Sequence, residues 1–432
     1  MLDIDIIRRN PDLLRRALAR RNESPSIVEE MAALDEAVRR ATVEADEMRA
    51  KRNSASKAIG ELMRRKDADA AAIAMQREEV RELGERIAQA EALQREVAER
   101  LRGLLLTVPN IPRDDVPDGA DSSANVVVRE EGVKRRHDFP LKHHWELSES
   151  LGITDMERGA KVAGARFYVL GEPGSRLQRA LVTWMIDLHR TKHGYVEKAV
   201  PYLVKSETLV GASNLPKFAD NLYHDAEEDL WLIPTAEVPL TNLHRDELLD
   251  ASLLPIKYMA HTPCFRREKT AAGRDVRGIK RVHQFDKVEM YQFVAPEESD
   301  AALAALVEHA SDVCRGLEIP FHVLQLCAGD MSFPSAKSFD IEMWSPGSEE
   351  WLEVSSCSNC TDFQARRANI RFRRAQSAKP EFVHTLNGSG LALPRVIIAI
   401  LETYQQADGS VRVPDVLVPY MAGQRVLAPV KR

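Results

Sequence analysis

The sequence is poor in cysteine and has no long hydrophobic run. Its 432 residues include only five cysteines, an odd and sparse set that fits a reducing compartment better than a disulfide framework. The longest apolar run near the C-terminus, Val396–Leu401, is far too short to cross a bilayer. The N-terminus lacks the apolar segment of a signal peptide. These absences predict a cytoplasmic protein without a membrane partner.

Motifs of several common nucleotide and metal sites are also missing. The chain has neither a Walker A sequence nor a GxGxxG fingerprint. Cys357 and Cys360 form one CxxC pair, but a structural zinc ion takes four ligands and no second pair follows at finger spacing. We therefore expect no zinc in this protein.

Charge is plentiful and nearly balanced. Charged residues make up 29% of the chain, hydrophobic residues 44%, and the formal net charge is -6. These totals describe a globular chain of two or three domains and argue against a uniformly basic nucleic-acid binder. A local basic patch is compatible with them, because nearby charges matter more than the sum.

The N-terminal quarter carries two heptad seams. Apolar and small residues alternate steps of four and three from Ile27 to Leu62, and again from Ile73 to Leu104. Two such seams joined by a short turn predict an antiparallel helical hairpin, each helix roughly 50 Å long at about 1.5 Å per residue.

The outer half of the first predicted helix is basic. Seven bases and one acid, Glu61, occur in this stretch. The bases are Arg49, Lys51, Arg52, Lys57, Arg64, Arg65 and Lys66. The pattern is compatible with a solvated coiled-coil face, with an arm that grips an RNA backbone through its phosphates, or with a protein-binding coiled coil.

Prolines mark the end of this helical region. Three of them fall within residues 109–117, and proline cannot continue a helix. We therefore predict an N-terminal domain over residues 1–108, with the hairpin at about 27–104. A linker segment would cover residues 109–139, and a second domain residues 140–432.

A basic loop between two strands is the most informative stretch of the second domain. Alternate side chains of an extended chain share a face, so Arg266 and Glu268 point together on the first strand. Phe285, Lys287 and Glu289 share a face of the second strand. A hairpin would bring the arginine and the glutamates into one pocket, where an arginine suits a phosphate or carboxylate and a carboxylate suits an ammonium or hydroxyl. A plain solvated loop is the alternative.

This stretch resembles motif 2 of the class II aminoacyl-tRNA synthetases, and its end, Arg281–Glu289, is similar to that of the seryl-tRNA synthetase family. The triplet Thr235–Glu237, between two prolines, resembles that family's TAE loop, and Glu353–Ser356 resembles its ATP-binding block. Leu177–Pro201 resembles class II motif 1, and Gly388–Arg395 resembles motif 3. The matches occur in family order along nearly the whole chain, and the HIGH and KMSKS motifs of the class I synthetases are missing.

The resemblance implies an α+β protein. An N-terminal antiparallel two-helix coiled-coil arm would precede a class II catalytic domain built on an antiparallel β-sheet flanked by helices. The family activates L-serine with ATP and Mg²⁺ and transfers it to tRNA(Ser), with tRNA(Sec) as an open second substrate. Motif 1 implies a homodimer.

The resemblance also assigns site residues. L-serine would be bound by Thr235, Ala236, Glu237, Arg266, Glu289 and Ser389. ATP would be bound by Arg266, Arg267, Glu268, Val282, Glu353, Val354, Ser355, Ser356 and Arg395, with Mg²⁺ on Glu353 and Ser356. The seven arm bases would bind tRNA. Strict strand alternation pairs Glu353 with Ser355, so this assignment requires a bulge or turn after Val354.

Two alternatives remain open at this stage. A synthetase-like ligase could charge a carrier protein, although such relatives usually lack the long arm. A non-catalytic synthetase-like RNA-binding adaptor is the other. The presence of five charged site residues argues against it, namely Arg266, Glu268, Glu289, Glu353 and Arg395.

Overall fold

The computed structural model describes residues 1–64, 69–269 and 277–430. The chain divides into two compact units. The smaller comprises residues 2–19 and 23–108, and the larger comprises the chain from Pro109 onward together with Met1 and residues 20–22. No helix among the described residues combines the length and the hydropathy needed to cross a membrane.

Two long helices dominate the smaller unit. The helices of this region are α1 Ile4–Arg9, α2 Pro11–Arg20, α3 Ile27–Leu62 and α4 Ala70–Leu105. Helices α3 and α4 have 36 residues each, which is about 54 Å at roughly 1.5 Å per residue. Small and apolar side chains, Ala45, Met48, Ile87 and Ala90, are buried together between them. The predicted heptad seams are therefore the contact surface.

Contacts between α3 and α4 establish that the pair is antiparallel. Thr42 Oγ1 accepts a hydrogen bond from Gln94 Nε2 at 2.7 Å. Farther along α3, Arg49 pairs with Glu91 at 2.6 Å. Later residues of α3 thus meet earlier residues of α4, and the predicted hairpin is confirmed.

The larger unit mixes helices and strands. Its helices are α5 His144–Ser150, α6 Met156–Ala163, α7 Glu172–Thr191, α8 Ser206–Gly211, α9 Glu237–Asn242, α10 Ser299–Gly316, α11 Phe363–Ala368 and α12 Leu393–Tyr404. Its strands are β1 Val126–Glu131, β2 Thr154–Asp155, β3 Val169–Leu170, β4 Val196–Glu197, β5 Leu203–Lys205, β6 His224–Asp225, β7 Leu230–Leu232, β8 Leu248–Asp250, β9 Ile256–Phe265, β10 Gln284–Val294, β11 Phe321–Gln325, β12 Lys337–Ser345, β13 Glu350–Asn359, β14 Arg371–Arg373, β15 Glu381–Phe382, β16 His384–Ala392, β17 Val411–Arg412 and β18 Val426–Leu427.

An eight-stranded sheet organises the larger unit. Its strand order is β1-β11-β12-β13-β16-β10-β9-β4. All neighbouring pairs are antiparallel except the edge pair of β4 and β9. The predicted antiparallel sheet with flanking helices is therefore confirmed.

Strand alternation divides the sheet into a core face and a polar face. On β10, Val288 and Met290 belong to the hydrophobic core that also contains side chains of α7, α10 and α12. Lys287 and Glu289, which alternate with them along the strand, line a cavity instead. The same strand thus anchors the core and presents charged groups on the opposite face.

A buried carboxylate joins three segments of the larger unit. Glu402 of α12 is fully buried. It accepts hydrogen bonds from the backbone N–H of His144 at 2.8 Å, Ser345 Oγ at 2.5 Å and the backbone N–H of Ser348 at 2.9 Å. Burial opposes its ionisation, but hydrogen bonds from these residues outweigh that effect and lower the pKa of Glu402 to about 2.

Glu402→Ala should destabilise the larger unit, because several buried donors would lose their acceptor. We expect a loss of roughly 2–4 kcal/mol, measured as a lower midpoint of thermal unfolding. The matched control is Glu157→Ala on α6, whose side chain is exposed. Equal midpoints for the two variants would contradict the role assigned to Glu402.

Candidate active site

The polar face of the sheet carries a cavity of about 340 Å³ among the described residues. Strands β10, β13 and β16, the segment after β9, and the start of α12 all contribute to its wall. Most of the predicted serine and ATP residues line it. They are Thr235, Glu237, Arg266, Glu268, Val282, Glu289, Glu353, Val354, Ser356, Ser389 and Arg395.

Ala236, Arg267 and Ser355 are not among the lining residues. Ala236 is fully buried in an apolar cluster. The guanidinium of Arg267, which lies beyond the end of β9, is 5.1 Å from the centre of the Tyr223 ring. Ser355 is buried, and its hydroxyl donates to the backbone carbonyl of Ser389 at 2.6 Å. Their direct contact with a substrate stays a prediction.

One end of the cavity is built around Glu289, which is 1% exposed. Its carboxylate accepts a hydrogen bond from the Thr235 hydroxyl at 3.0 Å and forms an ion pair with Lys287. The Lys287 ammonium also donates to the Thr235 hydroxyl at 2.8 Å. Because Thr235 lies just before α9, the short TAE turn brings its hydroxyl onto strand β10.

Glu237, the first residue of α9, is the second carboxylate at this end. It accepts hydrogen bonds from Gln364 Nε2 at 2.6 Å and from Asn387 Nδ2 at 3.1 Å. Burial, followed by the charge of Glu289, raises the pKa of Glu237 to about 7. Its protonation state therefore changes close to neutral pH.

The cavity lining also carries two arginine–glutamate pairs. Arg395, in the first turn of α12, lies 3.1 Å from the Glu353 carboxylate and donates to its backbone carbonyl at 2.7 Å. Arg281 contacts Glu268 at 3.0 Å. Pro394 lies in the first turn of α12, where its missing N–H is tolerated. Cationic groups here can meet a polyphosphate, while the carboxylates keep the arginines in place.

A β-bulge on β13 explains how Glu353 and Ser356 can face the same cavity although strict strand alternation would place them on opposite faces. Glu353 pairs with Glu342 and Ser355 with the adjacent Ile341, so Val354 is an extra residue on β13. The insertion lets Glu353 and Ser356 both line the cavity, whereas Ser355 is turned into the interior. The bulge that the sequence assignment required is confirmed.

Several lining residues were not assigned from the sequence. They include Ile279, Lys280, Arg281, Phe285, Lys287, Ser332, Ser358, Asn387, Ala392 and Pro394. Strand alternation indicates at least three of them. Phe285 and Lys287 share a face of β10 with Glu289, and Asn387 is two residues before Ser389 on β16.

The predicted arm bases differ in their surroundings. Lys51, Lys57 and Arg64 are exposed, and Arg52 is half-buried. Arg49 pairs with Asp46 and with Glu91, both at 2.6 Å. Arg65 and Lys66 lie outside the described residues. The exposed members form a charged stretch along the C-terminal half of α3 and just beyond its end.

Comparisons with known proteins identify the family. A model of the seryl-tRNA synthetase N-terminal domain matches residues 1–112, and a model of the class II tRNA synthetase core domain (G, H, P, S and T) matches residues 218–404. A serine–tRNA ligase of Thermomicrobium roseum is 58% identical over 429 residues, which cover 98% of this chain and 94% of that protein. The chain belongs to the seryl-tRNA synthetase family. A serine–tRNA ligase of a Roseiflexus species is 55% identical and covers 99% of both chains.

Solved structures agree with this family membership. Seryl-tRNA synthetase from Pyrococcus horikoshii, complexed with ATP, has a TM-score of 0.93 and 37% identity, with 100% of both chains covered. Cytoplasmic serine–tRNA ligase from Naegleria fowleri, in complex with AMP, has a TM-score of 0.87 and 30% identity, covering 100% of this chain and 99% of that one.

No group of three or more His, Cys, Asp or Glu side chains within residues 1–64, 69–269 and 277–430 is arranged to hold a metal ion. Cys357 and Cys360 are free and buried in this unit. Magnesium requires fewer protein ligands when a nucleotide supplies the others. Glu353 and Ser356, a carboxylate and a hydroxyl that line the same cavity, fit that requirement.

Proposed function

We propose that this protein is a serine–tRNA ligase that activates L-serine with ATP and transfers the seryl group to tRNA(Ser). The observation that carries the proposal is the charge distribution of the cavity. Glu237 and Glu289 belong to one group of lining residues around Thr235, while Arg395–Glu353 and Arg281–Glu268 form separate ion pairs in the same lining. This distribution suits an amino acid next to a polyphosphate, and the family membership supports the same activity.

Serine would occupy the part of the cavity that holds Glu237 and Glu289. The Glu237 carboxylate would receive the ammonium, and Glu289 the hydroxyl. Arg266, whose Nε donates to the backbone carbonyl of Pro234 at 3.2 Å, would meet the carboxylate. A site that hydrogen-bonds a substrate hydroxyl rejects alanine, because its buried polar groups would be left unpaired. Threonine would be refused by lack of room beside Ser389.

ATP would occupy the remainder of the cavity. Arg266 would contact the α-phosphate, Glu268 the adenine side, and Arg395 the γ-phosphate, with Val282 packed near the nucleotide. Glu353 and Ser356 would hold Mg²⁺, which supplies charge neutralisation and orientation of the phosphates when it is bound.

In the reaction, the serine carboxylate would attack the α-phosphorus, giving seryl-adenylate and pyrophosphate. A terminal ribose hydroxyl of tRNA would then take the seryl group and release AMP. Both steps need positioning and compensation of negative charge more than they need a protein nucleophile. The fixed arginines and the rigid sheet suit that requirement.

The arm would bind tRNA through phosphate contacts on the basic stretch of α3. Such contacts carry no base code, so tRNA(Sec) is a second candidate substrate. We also infer a cytoplasmic homodimer built on the motif 1 segment. In that segment β4 is an edge strand of the sheet, and Val196 is 53% exposed; Tyr202 and Leu203, just after the segment, are 45% and 50% exposed.

Glu289→Ala should abolish most serine activation, because the hydroxyl would lose its partner and Lys287 its counter-charge. We expect kcat/KM for serine in ATP–pyrophosphate exchange to fall by about 10³-fold or more. The control is Glu157→Ala, which removes an exposed carboxylate of α6 that does not line the cavity. Near-normal exchange in Glu289→Ala would contradict the proposed pocket.

Serine binding should weaken below about pH 7, because protonation of Glu237 removes the charge that meets the ammonium. Because the pKa of Glu237 is raised to about 7, a growing fraction of the free enzyme carries a proton on Glu237 as the pH falls below 7. Serine must displace that proton in order to bind. The kcat/KM for serine should therefore drop about tenfold per pH unit on the acid side. Glu237→Gln should have a low activity, and its kcat/KM should not show this fall on the acid side of the pH profile, which is called the acid limb below. An unchanged limb in that variant would assign the titration to another group.

Replacing exposed arm bases should weaken tRNA binding without affecting adenylate formation. Lys51→Ala with Lys57→Ala should raise KM for tRNA about tenfold and reduce the salt dependence of charging, because phosphate contacts would be lost. Arg86→Ala with Arg95→Ala removes the same charge from exposed positions of α4. Equal effects of the two pairs would indicate that only total charge matters.

A further inference from the structure

Lys287 is a buried cation in the serine end of the cavity, with no role in the motif assignments. It lies within β10 between Thr262 of β9 and Ala392 of β16, and it is 6% exposed. A lysine is almost never buried to this extent unless it is paired. Its place inside the sheet leaves the ammonium little freedom to move away.

The partners of Lys287 form a closed network around the Thr235 hydroxyl. That oxygen accepts from the Lys287 ammonium at 2.8 Å and from the backbone N–H of Glu237 at 3.3 Å, and the hydroxyl donates to Glu289 at 3.0 Å. A hydroxyl has one hydrogen and two lone pairs, so Thr235 is fully used. Lys287 also pairs directly with Glu289. Glu289 is thus held from one side by a cation and a fixed donor.

Charge balance explains why a cation is required there. Two carboxylates in one buried cavity repel each other, and without compensation one of them takes up a proton. Lys287 neutralises Glu289, which leaves the Glu237 carboxylate and the Arg266 guanidinium. One negative and one positive charge match the ammonium and the carboxylate of a single zwitterionic amino acid.

We propose that Lys287 is the positioning residue that separates the roles of the two glutamates. By neutralising Glu289, it leaves that carboxylate to hydrogen-bond the substrate hydroxyl. Glu237 is then the only carboxylate that pairs with the substrate ammonium. The inference rests on the proposed serine activation, and it adds a determinant of both serine affinity and rejection of alanine.

Other titratable groups near Glu237 do not replace this charge. The charged groups that face Glu237 are Glu289, Lys287 and Arg266. Burial raises the pKa of the Cys360 thiol and of the Tyr291 phenol well above their ordinary values, so both stay neutral near neutral pH. Removal of the Lys287 ammonium should therefore move the titration of Glu237 upward.

The test compares Lys287→Met with Lys287→Arg in serine-dependent ATP–pyrophosphate exchange between about pH 5.5 and 9. In Lys287→Met we expect kcat/KM for serine to fall about 100-fold and the acid limb to move up by about one pH unit or more. Its preference for serine over alanine should also fall by about tenfold or more. Lys287→Arg keeps the charge and should keep the position of the limb.

An acid limb at the wild-type pH in Lys287→Met would overturn the inference, even if its activity is low. Lys287→Gln serves for the same measurement if the thermal midpoint of the methionine variant is reduced. Wild-type protein without serine-dependent exchange would instead overturn the proposed function, and the inference with it. The two failures are therefore distinguishable.

Discussion

Repulsion between two carboxylates inside one cavity is the constraint on which this site depends. Glu237 and Glu289 can remain close only because opposite charges and amide donors lie beside them. Lys287 pairs with Glu289, while Gln364 and Asn387 donate to Glu237. The compensation is partial, since burial and, after it, the charge of Glu289 still raise the pKa of Glu237 to about 7. That remaining imbalance suits a substrate that brings its own positive charge.

The sheet supplies the rigidity that such a charge arrangement needs. Strands β10, β13 and β16 are interior strands of one antiparallel sheet, and their core-facing side chains pack against helices. A single extra residue in β13, Val354, sets which side chains face the cavity on that strand. Glu353 and Ser356 are thereby presented together. A one-residue change in register of β10 or β13 would turn Glu289 or Glu353 away from the cavity.

Patterns with a fixed period could be predicted from the sequence. The heptad steps predict the hairpin of α3 and α4. The prediction that Arg266 and Glu268 share a strand face was wrong in its reason, because β9 ends at Phe265 and Glu268 has a left-handed backbone with φ 49°. Contacts between distant segments could not be predicted in this way. Gln364 and Asn387 meet Glu237 only through the packing of α11 and β16 against α9. The burial of Ala236 and Ser355 likewise depends on a helix start and a bulge, which strand periodicity does not reveal.

The most direct test of this account is ATP–pyrophosphate exchange by the wild-type protein, without tRNA, for each amino acid in turn. Exchange with serine, and little with alanine or threonine, is the predicted result, because in the proposed pocket only serine would both pair with the two glutamates and fit the available space. Exchange with another amino acid would support an amino-acid-activating ligase but contradict the assignment of this pocket to serine. No exchange with any amino acid would contradict the enzyme and favour an RNA-binding adaptor.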